Sequence, residues 1–88
     1  MQTTWQPHTM HGDLSTRSDL PESVFAFPKQ RKELLTDADH VRNALARFDQ
    51  VQGVTDNDRV LAFANIKKAA QHYGVDMIEK SWRDLKKR

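Results

Sequence analysis

The sequence predicts a mainly α-helical fold, with one compact three-helix domain over residues 21–88 that follows a disordered N-terminal tail over residues 1–20. After residue 35, a helix-start pattern recurs three times, and Gly53 and Gly74 separate the three segments. The first 20 residues hold only five apolar side chains, at no regular spacing. With 88 residues, of which 38% are hydrophobic, the chain has room for one thin core.

The first two helices follow from cap residues and apolar spacing. Thr36, with Asp39 three positions later, predicts the first start, and Thr55 with Asp58 predicts the second. Gly74 predicts the end of the second helix. Both segments then place apolar side chains on one face at spacings of three and four.

A third helix is predicted after Gly74. Asp76 and Glu79 would begin it, and Ile78, Trp82 and Leu85 are spaced by four and three. The predicted core is shared among the helices and the segment before them: Phe25, Phe27, Leu35, Val41, Leu45, Phe48, Phe63, Ile66, Ala70, Tyr73, Ile78 and Trp82.

A short N-terminal β-hairpin over residues 24–35 is an open alternative to irregular structure there. Val24 to Phe27 form an apolar run with β-favouring residues, and a polar stretch separates it from Glu33-Leu34-Leu35. Such a hairpin needs a helix to cover it.

Composition excludes several classes of protein. The absence of cysteine excludes disulfides and thiolate metal sites, and no apolar run approaches the roughly 20 residues of a membrane span. We therefore expect a cytoplasmic protein that does not associate with membranes. The first eight residues, Met1 to His8, have neither a basic start nor an apolar segment typical of a leader.

The sequence also predicts a protein that is not an enzyme and holds no cofactor or metal. Its three glycines form no phosphate-binding loop, and no activated nucleophile has a base at a recognisable spacing. Asp37, Asp39 and His40 resemble a fragment of a metal site, but both acids lie where a helix start favours them.

Two groups of residues, one polar and one apolar, are candidates for binding a partner protein. On the first helix, His40, Asn43 and Arg47 share a face while Arg42 points elsewhere; the alternative is that His40 and Asn43 tie the helix to the preceding hairpin. On the second helix, Val60 and Leu61 sit away from the centre of the apolar stripe. We predict a non-enzymatic binding or adaptor domain that acts through these helix surfaces, with another protein as partner.

Nucleic-acid binding is the alternative function. Residues 80–88 carry five basic residues against Asp84, a net +4, whereas the whole chain carries only +2. The second and third helices would form a helix-turn-helix-like pair. The basic residues that would then contact phosphate are Lys80, Arg83, Lys86, Lys87 and Arg88.

A family resemblance spans roughly residues 20 to 85. It rests on the stretches from Leu20 to Phe27 and from His40 to Phe48, the latter reading His-Val-Arg-Asn-Ala-Leu-Ala-Arg-Phe. These residues resemble a small domain of unknown function found in short bacterial proteins, and similar segments occur in phage head-maturation and structural proteins. The resemblance implies no activity.

Overall fold

A computed structural model describes residues 3–7 and 20–87 of the chain, except for the side chains of Lys86 and Lys87. In chain order, its strands are β1 (Phe25–Phe27) and β2 (Lys32–Leu34), and its α-helices are α1 (Ala38–Arg47) and α2 (Asp56–Tyr73). Short 3-10 helices cover Glu22–Val24, Phe48–Gln50 and Trp82–Lys87. The predicted mainly α, three-helix fold is therefore wrong, because two α-helices pack with a two-stranded antiparallel sheet.

The hairpin that the sequence left open is formed. Phe25 pairs with Leu34 and Phe27 with Lys32 in an antiparallel register. All three residues of β1 are buried, because Ala26 and Phe27 join the main core while Phe25 packs in a smaller cluster with Leu20 and Val24. The strand is therefore covered on both faces.

The hairpin turn contains no glycine, and positive φ angles occur at Arg31, which ends the turn, and at Glu33, within β2. Arg31 has φ 52° and Glu33 has φ 60°, a conformation that costs most residues some strain. Arg31 is held in place by its own side chain, whose guanidinium lies 4.8 Å from the centre of the Phe25 ring and donates to the Leu20 carbonyl.

Helix α1 begins one residue later than the sequence predicted. Its N-cap is Asp37 rather than Thr36, and the Asp37 carboxylate accepts from the His40 backbone N–H at 2.8 Å. Val41 and Ala44 face the core, and the chain leaves the helix through the 3-10 turn that buries Phe48.

Helix α2 confirms its predicted boundaries. Thr55 Oγ1 accepts from the Asp58 N–H at 3.1 Å, and the Asp58 carboxylate accepts from the Thr55 N–H at 3.0 Å, which completes a capping box. Gly74 ends the helix in the left-handed region, at φ 72°, with its N–H on the Ala70 carbonyl.

The predicted third α-helix is absent from the described part of the chain. Residues 75–79 have no regular secondary structure, and Val75 and Met77 pack against the core while Asp76 and Ile78 are exposed. This alternation needs extended backbone, because a helix would turn residues two apart to nearly opposite faces. The 3-10 helix Trp82–Lys87 follows, and the Asp84 carboxylate accepts from the backbone N–H groups of Lys80 and Ser81 at its start. This short helix buries Trp82 and Leu85. Ile78, predicted in the core, is 90% exposed.

The N-terminal residues Thr3 to Pro7 belong to the folded domain rather than to a disordered tail. Trp5 is only 1% exposed and lies in the main core with Leu35, Phe48 and Ile66. The prediction of a tail over residues 1–20 therefore differs from the structure at residues 3–7 and at Leu20, while residues 1–2 and 8–19 fall outside the described part.

Candidate protein-binding surface

A groove runs between helix α1 and the extended residues that follow α2. We call it the α1 groove; its volume is about 520 Å³, and it is lined by Arg42, Leu45, Ala46, Gly74, Val75, Asp76, Ile78 and Glu79. Helix α1 supplies one wall from its solvent-facing side, and the left-handed turn at Gly74 brings the other wall alongside it. The groove therefore depends on the extended backbone that replaces the predicted third helix.

Apolar side chains are unusually accessible at the α1 groove. Ile78 exposes 90% of its surface beside Leu45 and Val75, which are half-buried. Single exposed apolar side chains are ordinary on protein surfaces, whereas contiguous apolar surface marks contact sites, and Ile78 extends the apolar surface of Leu45 and Val75.

The charges that line the α1 groove are mostly negative. Asp76 and Glu79 line the groove together with one arginine, Arg42, whose guanidinium pairs with Asp39 at 2.9 Å. The Asp39 side chain is itself 89% exposed. The local field therefore favours a positively charged ligand.

His40, Asn43 and Arg47, which were predicted to share a helix face, line one cleft together with Glu33 and Leu34 of the hairpin. Among the described residues, however, the ring of His40 makes no hydrogen bond to the hairpin backbone. Its Nδ1 lies 2.8 Å from the Asp37 carboxylate and 3.5 Å from Thr36 Oγ1, within its own helix start. Helical spacing therefore indicated the shared face of these residues but not the partners of the His40 ring.

The other three candidates lie elsewhere. Arg42 lines the α1 groove, Leu61 lines a depression of about 300 Å³ beside Phe27 and Pro28, and Val60 is 39% exposed on α2. The structure therefore spreads the six candidate residues over separate surfaces. The groove was not predicted from the sequence, because helical spacing with Trp82 and Leu85 places Ile78 in the core.

In the part of the chain that the structure describes, the basic C-terminal candidates do not lie on an α-helix that could act as a recognition helix. Lys80 and Arg83 are exposed, and the Arg83 guanidinium lies 5.0 Å from the centre of the Trp82 ring. The side chains of Lys86 and Lys87, and all of Arg88, lie outside the described residues. A helix-turn-helix needs a second α-helix after the Gly74 turn, and residues 75–79 have no regular secondary structure.

Residues 3–7 and 20–87 contain no cluster of three or more His, Cys, Asp or Glu side chains placed to hold a metal ion. Over the same ranges, no helix combines the length and the apolar character that a bilayer span requires.

The Asp37 cap predicts a pH-dependent stability. The His40 backbone N–H bonds the Asp37 carboxylate and, with the His40 side chain, holds the pKa of that carboxyl below its ordinary 3.8. The stabilisation is therefore present above about pH 4 and is lost as the pH falls through the lowered pKa. We expect Asp37→Ala to cost about 1 kcal/mol at pH 7, as cap removals do.

Urea unfolding of Asp37→Ala and of the unsubstituted protein, at pH 7 and at progressively lower pH, measures this effect. The difference between them should shrink as the carboxyl protonates. Asp39→Ala is the control, because its exposed ion pair contributes at most about 1 kcal/mol. A difference that stays constant down to pH 2 would contradict the account.

Fold and surface together define a small α+β domain in which two helices and a hairpin enclose one core. The chain belongs to a family of unknown function (DUF6582), whose model matches residues 11–80. Searches of curated proteins and of solved structures gave no match. The family description assigns no activity, so it confirms the expected membership of an uncharacterised family and adds nothing on phage proteins.

Proposed function

We propose that the protein is a non-enzymatic protein-binding domain, and that its contact surface is the α1 groove. The observation that carries this proposal is Ile78, which is 90% exposed at the rim of a groove already lined by Leu45 and Val75. Of the six partner-binding residues predicted from the sequence, Arg42 is the one that lines this groove. Cytoplasmic residence and the resemblance to phage proteins stay predictions of the sequence.

The partner is a peptide segment of another protein that presents an apolar side chain flanked by basic ones. Its apolar side chain would pack between Leu45 and Ile78, where burial of a large side chain contributes about 1.5–3 kcal/mol. Its lysine or arginine side chains would lie near Asp76 and Glu79, where opposite charge steers association and fixes orientation.

The charge of the groove lining favours a protein partner over the nucleic-acid alternative. Phosphate carries negative charge, and the groove lining holds two carboxylates against one arginine. The basic residues that favoured nucleic acid lie in the C-terminal segment, without the helix pair that would have inserted them into a groove of DNA.

Selection from a displayed peptide library against the full-length protein tests the proposal. We expect enrichment of peptides that combine one large apolar residue with Lys or Arg. Ile78→Ser should weaken their binding by about tenfold to a hundredfold, which corresponds to the loss of one buried aliphatic contact.

Val60→Ser is the matched control, since Val60 is an exposed large aliphatic residue on another face. It should leave the affinity unchanged. Peptides whose binding is insensitive to Ile78→Ser, or no enrichment at all, would contradict the assignment of the groove. Tight binding to duplex or single-stranded DNA instead would favour the alternative function.

A further inference from the structure

The segment that follows α2 alternates between exposed and half-buried side chains. We call residues 75–79 the edge segment. Asp76 and Ile78 are exposed, whereas Val75 and Met77 pack against the core. A period of two is typical of extended backbone, in which successive side chains point to opposite faces. The backbone N–H and C=O groups of such a segment then point sideways, toward its two edges.

The backbone groups in the middle of the edge segment have no partners. The N–H and C=O groups of Asp76, Met77 and Ile78 make no hydrogen bond to another described residue. The Val75 N–H, just before them, still bonds the Ala70 carbonyl at the end of α2. A row of unpaired N–H and C=O groups along extended backbone is a template for pairing with another strand.

Open depressions flank the edge segment on both sides. One is the α1 groove, of about 520 Å³, and the other, of about 350 Å³, is lined in part by Lys67 and Gln71 of α2. Gly74, Val75 and Asp76 line both depressions, which places this stretch of chain between them. The edge that faces α1 therefore has space beside it, on the side where the apolar and acidic side chains of the α1 groove lie.

We propose that the peptide partner binds in the α1 groove as an extended strand, whose backbone pairs with the edge segment at residues 76–78. This inference rests on the proposed function and adds the conformation and the spacing of the ligand. Addition of a strand to an exposed edge is a recurring mode of peptide recognition. Main-chain hydrogen bonds then give affinity, and pockets for alternate side chains give specificity.

The exposed face of the edge segment sets the spacing within the peptide. Asp76 and Ile78 are two residues apart and both exposed, so an added strand presents alternate residues beside them. The basic residue of the peptide lies across from Asp76, and its apolar residue lies across from Ile78. The two peptide residues are therefore also two apart, whereas a helical ligand would space them by three or four.

A scan of backbone N-methylation on one synthetic peptide tests the strand pairing. The peptide has seven residues with capped ends, leucine third, lysine fifth and threonine elsewhere, and it is titrated into the full-length protein by NMR. Methylation removes one N–H donor at a time. Since the N–H groups of a strand point to alternate edges, we expect affinity to fall about tenfold at every second position and to stay unchanged at those between.

Amide hydrogen exchange of the protein supplies a second readout. In the free protein, the amides of residues 76–78 should exchange rapidly, because they make no hydrogen bond to another described residue. The bound peptide should slow exchange either at Met77 alone or at Asp76 and Ile78 together, according to which N–H groups face the α1 groove. Exchange that stays equally fast at all three in the peptide complex would overturn the proposal.

The variants Ile78→Ser and Val60→Ser separate this inference from the proposed function. If Ile78→Ser weakens binding but N-methylation has no effect at any position, the strand pairing is wrong and the α1 groove remains the contact surface. Loss of affinity at consecutive positions would also overturn the pairing, because it indicates a helical ligand. Absence of binding, or binding that both variants leave unchanged, would contradict the proposed function itself and this inference with it.

Discussion

Replacing Trp5 by Ala should lower the free energy of unfolding by about 3–5 kcal/mol, the range for deleting a large aromatic side chain from a core. The side chain is 1% exposed and contacts the rings of His72 and Tyr73. Its indole N–H also bonds the Leu35 carbonyl, so the substitution leaves that buried acceptor without its partner. For a domain of this size, such a loss can approach the whole stability.

Chemical denaturation at constant pH measures the effect, with circular dichroism as the signal. Ile78→Ala is the matched control, because Ile78 is 90% exposed and its truncation should change stability by less than about 0.5 kcal/mol. Trp5→Ala should therefore lower the free energy of unfolding more than Ile78→Ala, whereas the sequence, which places Ile78 in the core and Trp5 in a tail, predicts the opposite order. Equal and small effects of both substitutions would show that Trp5 is not part of the core.

Replacing Asn65 by Leu should cost about 2–5 kcal/mol, even though the two side chains have similar shape and leucine is the more apolar. The substitution removes the acceptor shared by the Thr4 and Trp5 N–H groups and the donor to the Ala26 carbonyl. Each buried group left without a partner costs about 1–3 kcal/mol. Burial of extra apolar surface cannot offset this loss.

Gln71→Leu provides the control, since Gln71 is an exposed amide on the same helix and its replacement should shift stability by less than about 0.5 kcal/mol. Combining Trp5→Ala with Asn65→Leu should cost less than the two single losses together, because both side chains anchor one segment. Strict additivity would mean that the two residues act independently.

Local signals in the sequence predicted helices well where the signal was a hydrogen bond between near neighbours. Thr55 and Asp58 form the capping box, and Gly74 takes the left-handed conformation that ends α2. The placement of His40, Asn43 and Arg47 on one side of α1 followed from helical spacing alone, whereas the cleft that they line also needs the hairpin. These features need only a few consecutive residues, so the residues themselves specify them.

Features that depend on distant parts of the chain were not predictable in this way. Trp5 is buried because Asn65, sixty residues away, holds its backbone, and no spacing in the sequence links the two. Ile78 has helical spacing with Trp82, but the half-buried Val75 and Met77 pack against the core and Ile78, between them and the 3-10 helix, is exposed. One sign in the sequence pointed to this anchor: Asn65 is a polar residue within the apolar stripe of α2, where a buried amide needs hydrogen-bond partners.

A NOESY spectrum of the full-length protein tests the central claim, that Trp5 completes the core and is anchored by Asn65. The structure predicts cross-peaks between the indole protons of Trp5 and the ring protons of Tyr73, whose ring centres lie 5.9 Å apart. It also predicts an indole N–H that exchanges slowly with solvent. A well-folded spectrum in which the Trp5 indole shows no such cross-peaks and exchanges as fast as a free indole would contradict the account.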